Sequence, residues 1–296
     1  MGGGSYSINS STGAYDRSIR EAHVTAYAGI DYKTKSREEL FTQRNINNAM
    51  SPYGVKVRES RDSAEHPNSL AIIIALDETG SMGSVPHYLV KEGFPDIMGN
   101  IIQKGEKDPQ VMFLGIGDHE CDEAPLQVSQ FESSDELLDK WLTTVYLEGG
   151  GGGNNGESYS LAWYFAAQHT SIDCFEKRGR KGFLFTIGDE PVLKIIPAHI
   201  LKKLMGEGQY ENYTAEKLYD MAREKYNVFH VHIKETSSGS RQRVIDGWKQ
   251  LLTDNLIVAE RHEDVAKLIA DKINEVKSKP FIGLDPGKKA ETEEIL

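Results

Sequence analysis

Cysteine, long hydrophobic runs and positive charge are what this chain has least of, and each shortage excludes something. Its 296 residues include two cysteines, Cys121 and Cys174. Neither lies in a Cys-x-x-Cys pair, so a zinc knuckle or a thioredoxin-type motif is not expected. A disulfide between them stays open, with a reduced pair as the default. No apolar run approaches the roughly 20 residues of a membrane span. The amino terminus, Met-Gly-Gly-Gly-Ser-Tyr-Ser, lacks the apolar stretch of a signal peptide. Tyr6 stands where myristoylation wants Ser or Thr. With 34 Lys and Arg against 45 Asp and Glu, the formal charge is −11. That balance argues against general affinity for nucleic acid or anionic membrane. A local basic cluster, Lys177-Arg-Gly-Arg-Lys181, reads as a solvated loop before a strand. The expectation is a cytoplasmic protein with neither nucleic acid nor membrane as partner.

Alternating apolar and amphipathic segments begin at Leu70. Strands are predicted over 70–76, 111–116, 125–131, 182–186, 228–233 and 256–259. Helices are predicted over 88–102, 135–145, 158–168, 197–205, 215–225 and 263–277. Strand–helix alternation of this kind predicts a doubly wound, Rossmann-like α/β fold with helices on both faces of a mostly parallel six-stranded sheet. The short link at 117–124 suits a hairpin, so one edge strand is expected to be antiparallel. Residues 1–68 are polar with little periodicity and read as a partly ordered extension. Within them Ser36-Arg-Glu-Glu39 is a capping box that predicts a helix over 36–48. The domain proper is expected over 69–277, followed by a loosely held, charged tail over 278–296.

The chemistry concentrates at the ends of strands. Leu70-Ala-Ile-Ile-Ile-Ala-Leu-Asp-Glu-Thr-Gly-Ser-Met82 is a buried strand ending in Asp77, Thr79 and Ser81. One carboxylate and two hydroxyls are hard oxygen ligands, suited to Mg²⁺, Mn²⁺ or Ca²⁺ rather than zinc. A dehalogenase-type phosphatase needs a second acid where Thr79 stands. A nucleophile elbow needs Gly two residues before Ser81, and a P-loop needs Gly-Lys-Ser/Thr. Helix capping by Asp77 and Ser81 is the plain alternative. A second loop, Glu148 followed by five glycines and then Asn154-Asn-Gly-Glu-Ser158, brings Asn154, Asn155 and Glu157 to a helix start. A third strand ends in Asp189 and Glu190. The hairpin holds Gly117-Asp-His-Glu-Cys-Asp-Glu123, with Asp118 and His119 as outer-shell or ligand-contacting candidates. An acidic, merely solvated hairpin is its alternative. His230 and His232 alternate on one strand and, lacking a third ligand, read as packed histidines. Asp271 and Glu275 read as a solvated helix face.

Asp-x-Thr-x-Ser followed by Met resembles the metal-ion-dependent adhesion site (MIDAS) of von Willebrand factor A (vWA) domains. The resemblance runs from about Ser69 to Lys277. The segments around Arg58-Glu-Ser-Arg-Asp-Ser, the Asp77 motif and the glycine loop are similar to a bacterial and phage group of such proteins without established activity. Integrin-like members supply a Thr where Gly153 stands. The loop instead resembles a subtype reading Gly-Gly-Gly-Asp-x-Pro-Glu, with Asn154 and Glu157 at its acidic positions. The resemblance implies a divalent cation bound by Asp77, Thr79 and Ser81, with Asp189 and Asn154 in the outer shell. It implies a binding module, not an enzyme, that captures an Asp or Glu of a protein partner. A MoxR-type AAA+ ATPase is a candidate partner by analogy. Two alternatives stay open. One is a Mg²⁺-dependent hydrolase using Asp118, His119, Asp189 and Glu190. The other is a structural assembly component whose metal site has decayed, as Gly153 suggests.

Overall fold

The computed structural model describes residues 5–9, 11–12, 14–28, 34–148 and 156–278. Six strands form the main sheet: Leu70–Asp77 (β1), Pro109–Ile116 (β2), Leu126–Val128 (β3), Gly182–Gly188 (β4), Tyr226–Ile233 (β5) and Leu256–Ala259 (β6). Their spatial order is β6-β5-β4-β1-β2-β3. All neighbours are parallel except β3, which runs antiparallel to β2 with Val128 opposite Leu114. Every residue of β1, β2 and β4 is buried. A parallel sheet covered on both faces demands that, and it is why these strands read as unbroken apolar runs.

The helices are Arg17–Ala28 (α1), Phe94–Gln103 (α2), Asp135–Thr144 (α3), Ser160–Gln168 (α4), Ala198–Met205 (α5), Ala215–Lys225 (α6), Gln242–Leu252 (α7) and Val265–Ser278 (α8). Two packed pairs, α2 with α8 and α4 with α6, flank the sheet. The fold is therefore the expected doubly wound α/β architecture with one antiparallel edge strand. None of the described helices is long and apolar enough to cross a membrane. From β1 the chain moves outward to β2 and β3, then returns to β4 on the other side of β1. This reversal opens a crevice beyond the carboxyl ends of β1 and β4, where such sheets place their ligands.

Three local expectations are corrected. The capping box at Ser36 forms, with Glu39 N–H donating to Ser36 Oγ and Ser36 N–H to Glu39 Oε2. Its helix, however, spans only Arg37–Leu40. Thr42 is β-branched and Asn45, Asn47 and Asn48 compete with the helix through side-chain-to-backbone bonds, and Asn47 caps a separate short turn at Asn48–Met50. Helices α1 and α7 were not expected at all. The basic cluster is tied down rather than solvated: Arg178 holds Asp62 at 2.6 Å, and Arg180 holds Glu106 at 2.9 Å.

The segment before β1 is stitched to the sheet. Tyr6 Oη donates to the carbonyls of Pro109 and Glu132. Arg58–Ser60 pairs in parallel with Thr170–Ile172. Cys174 is buried, and no disulfide joins it to Cys121. The tail over 279–296 lies outside the described residues.

Candidate metal centre

Asp77 is the last residue of β1 and is fully buried. Its Oδ1 accepts two bonds from Thr79, the backbone N–H at 3.0 Å and the hydroxyl at 2.6 Å. The Thr79 hydroxyl thus spends its proton on Asp77, which leaves its oxygen in an acceptor role. Oδ2 accepts the Tyr159 hydroxyl at 2.6 Å. Ser81 lies on the short turn Gly80–Met82, which Gly83 closes with φ +50°; the side chain of Ser81 is outside the described part of the chain. Asn154 and Asn155 also lie outside the described residues.

Asp189 follows β4 directly and is fully buried. Burial, and then the charge of Asp189, push Asp77 up to about 7. Glu157 begins the last described stretch before α4. Its N–H donates to Pro191 O at 2.8 Å and its carbonyl accepts Leu193 N–H at 2.9 Å, so the Asp189 loop and the Glu157 loop are laced together. Burial, then the charges of Asp77, Asp122, Asp118 and Glu190, raise Glu157 to about 10. Asp118 is buried beside them, with Oδ1 accepting Glu120 N–H at 2.8 Å. His119 is held twice by Ser158, whose Oγ accepts its N–H at 2.9 Å and meets its Nδ1 at 2.7 Å. Burial lowers the His119 pKa, which favours the neutral ring.

The structure therefore brings Asp77, Thr79, Asp189, Asp118, Glu157 and Glu190 to one end of the sheet, as the order of strands requires. The donor chemistry fits a hard cation. Asp118 Oδ2, Glu157 Oε2 and Glu190 Oε2 are buried and accept no hydrogen bond. Among the described residues no Lys or Arg pairs with Asp77, Asp118, Glu157 or Glu190. Buried carboxylates without a compensating positive charge are costly, and a divalent ion relieves that cost. The carboxylates do not converge as a triad, however. The one His and acid trio whose ligand atoms lie within 4.8 Å of one another, among the described residues, is Glu235, His262 and Glu263. It sits at the surface, where Arg261 already holds Glu263 at 2.6 Å.

Two residues that sequence reasoning missed shape this centre. Tyr159 reaches Asp77 across Gly188, where any side chain would collide with its hydroxyl. Only that fit, invisible in either segment alone, assigns Tyr159 its place. Trp248 on α7 stacks on His230 at 3.6 Å and 13°, and its Nε1 donates to Glu190 O at 3.0 Å. The spacing of Val244, Ile245, Trp248 and Leu252, all buried, was the available signal for this helix. His230 Nδ1 meets Thr186 Oγ1 at 2.9 Å, and His232 Nε2 donates to Gly239 O at 2.8 Å. Both histidines are buried, and burial holds both below the usual imidazole pKa.

The chain matches no known protein family and no curated protein sequence. Among solved structures it is similar to the pilus adhesin SpaC from Lactobacillus rhamnosus GG in its open conformation. That match has a TM-score of 0.48 at 10% identity, over 74% of this chain and 31% of the adhesin. It is also similar to proximal thread matrix protein 1 from the mussel byssus, with a TM-score of 0.43 at 9% identity, over 72% of this chain and 48% of that one. The chain thus spans less than half the length of either.

Proposed function

We propose that this chain is a vWA-type, metal-dependent binding module that captures an acidic side chain of a protein partner. The observation that carries the reading is the set of buried carboxylates at the β1–β4 crevice, with no basic side chain among the described residues paired to Asp77, Asp118, Glu157 or Glu190. Asp77, Thr79 and Ser81 would hold the cation directly, with Asp189 and Asn154 around it. When bound, Mg²⁺ or a similar ion supplies the positive charge that an incoming Asp or Glu needs. Asp77 orients the Thr79 oxygen by accepting its hydroxyl hydrogen bond, and Tyr159 holds Asp77 in place. His119, neutral and fixed by Ser158, stands at the rim with Glu190. A single carboxylate with two hydroxyls is poorly suited to activating water, which favours binding over hydrolysis. The proposed setting is the cytoplasm, and a MoxR-type AAA+ ATPase is the partner class proposed by analogy.

Calorimetry with Mg²⁺ and Mn²⁺ on wild type and Asp77→Ala tests the centre, and bait capture from host lysate with and without EDTA tests the use. Metal binding and capture that both vanish in Asp77→Ala support the module. Capture of the same partner despite EDTA and the substitution would leave a structural scaffold instead.

Tyr159→Phe provides a sharper check on how the ligand carboxylate is held. It leaves Asp77 Oδ2 without its donor, and a bond to a charged group is worth about 1.5–3 kcal/mol. Mg²⁺ affinity is expected to fall by about tenfold or more. Unchanged affinity, with wild-type stability, would reduce Tyr159 to a packing residue.

A further inference from the structure

A cavity of about 580 Å³ opens between α6 and α7, within the size range of ligand-binding clefts. Its walls carry three cations, Lys194, Arg223 and Arg243, in a chain of net charge −11. Arg223 is occupied, paired with Asp220 at 3.3 Å and lying over the Tyr219 ring at 5.1 Å. Lys194 and Arg243 are exposed and pair with no acid among the described residues. Glu216 is the remaining acid on the wall.

Gly247 faces this cavity from the middle of α7. A Cβ there would meet nothing within 4 Å, so no neighbouring atom requires the glycine. A helix-interior glycine costs about 1 kcal/mol relative to alanine. What it leaves is an open channel beside buried Trp248.

The cavity and the metal centre share the loop that follows β4. Pro191 and Val192 line its mouth directly after Asp189 and Glu190. Pro191 O accepts Glu157 N–H at 2.8 Å, and Trp248, from the cavity wall, donates to Glu190 O at 3.0 Å. One loop therefore forms both the edge of the carboxylate cluster and the entrance to the groove. From Ala215 to Arg223 the α6 wall runs about 12 Å at 1.5 Å per residue. That length accommodates about four residues of extended chain.

We propose that this groove takes an extended acidic segment of the partner protein, namely the residues flanking the carboxylate held at the metal centre. The inference rests on the metal-dependent reading above and adds the partner's chemistry: a run of acids rather than one. Lys194 and Arg243 read the flanking charges, and the space over Gly247 admits the backbone.

The test uses the full chain with two probes, acetylated tetra-aspartate amide and acetyl-aspartate methylamide, in Mg²⁺ and in EDTA. The variants are Lys194→Glu with Arg243→Glu, Gly247→Phe, and Asp77→Ala, each checked for folding by thermal denaturation. Tetra-aspartate is expected to bind in Mg²⁺ and to weaken by about tenfold or more in both groove variants. Mg²⁺ affinity and the weak binding of acetyl-aspartate methylamide should not change in them. Mg²⁺-dependent tetra-aspartate binding that both groove variants retain in full would overturn the groove and spare the metal centre. Binding that needs the groove but ignores EDTA and Asp77→Ala would overturn the link between the two and count against the metal reading. No tetra-aspartate binding to wild type in Mg²⁺ also overturns the proposal.

Discussion

Asp77→Asn is expected to make the metal-free protein more stable than wild type near neutral pH and above, and to abolish stabilisation by Mg²⁺. Asparagine keeps an oxygen for the two Thr79 donors and presents its amide to the Tyr159 oxygen, so the packing survives. What disappears is the charge. Burial and Asp189 raise the Asp77 pKa from 3.8 to about 7. At about 1.4 kcal/mol per unit, ionising this carboxyl in the folded state costs about 4 kcal/mol. The folded value lies above the unfolded one. Between about pH 4 and pH 7, therefore, the folded protein keeps a proton that the unfolded chain has lost. Metal-free stability should accordingly fall as pH rises through that window, and Glu157, raised to about 10, extends the decline above it. The asparagine variant should lose Asp77's share of this slope and keep the share of Asp139, which burial also raises to about 7. Urea unfolding in EDTA at about pH 5 and about pH 8 measures both terms. Mg²⁺ at about a hundred times its dissociation constant should restore about 2.7 kcal/mol to wild type and nothing to the variant. A flat metal-free profile for wild type, or equal Mg²⁺ stabilisation of both proteins, would remove Asp77 from the centre.

Arg20→Ala should destabilise the protein by about 3–5 kcal/mol, the usual cost of stranding a buried charge. Arg20 on α1 reaches α3, where both oxygens of Asp139 accept its Nη2 at 2.6 Å and Asp135 lies 3.9 Å from Nε. The side chains are only 7%, 2% and 2% exposed for Arg20, Asp135 and Asp139. Asp135 in turn accepts Tyr15 Oη at 2.6 Å and Ser7 N–H at 2.8 Å. Losing the guanidinium leaves two buried carboxylates facing each other and loosens the whole amino-terminal segment. Replacing both members, as Arg20→Met with Asp139→Leu, should recover most of the loss, because apolar substitutes of similar volume often match a buried pair. Denaturant midpoints of the single and double variants decide this. A loss below about 1 kcal/mol in Arg20→Ala would mean that the segment is not anchored through this pair.

The interior strands were legible because a parallel sheet leaves no polar position on them. The apolar runs before Asp77 and before Asp189 put both acids at strand ends, and the order of strands makes those strands neighbours. Helix α1 was not legible, since its sequence has no sustained apolar stripe and it is held by ion pairs to residues distant in sequence, Arg17 to Glu92 and Asp96 and Arg20 to Asp139. Helix α7 carried a readable stripe that was passed over, and with it went Trp248. Tyr159 belongs to a third class. Its bond to Asp77 exists because Gly188 leaves room for a ring, a fact about two strand ends and a helix start that no single stretch encodes. At Ser36 the start signal is correct and the stop is weakly marked, because Thr and Asn end a helix more softly than Gly or Pro does.

The stitching of the first residues to the sheet also sets a schedule for biosynthesis. Tyr6 bonds to a carbonyl 103 residues ahead of it, and Ser7 bonds to a carboxylate 128 residues ahead. Contacts of such sequence separation close late. At about 5–20 residues per second on the ribosome, the segment that emerges first must wait roughly 10 s for Asp135 to appear. Arg58–Ser60 waits nearly as long for its partner strand at Thr170–Ile172. Over that interval the apolar strand β1 has β2 available on one side, but its other edge stays open until β4 emerges from Gly182 onward. The newborn protein therefore depends on whatever shields exposed strands in its host.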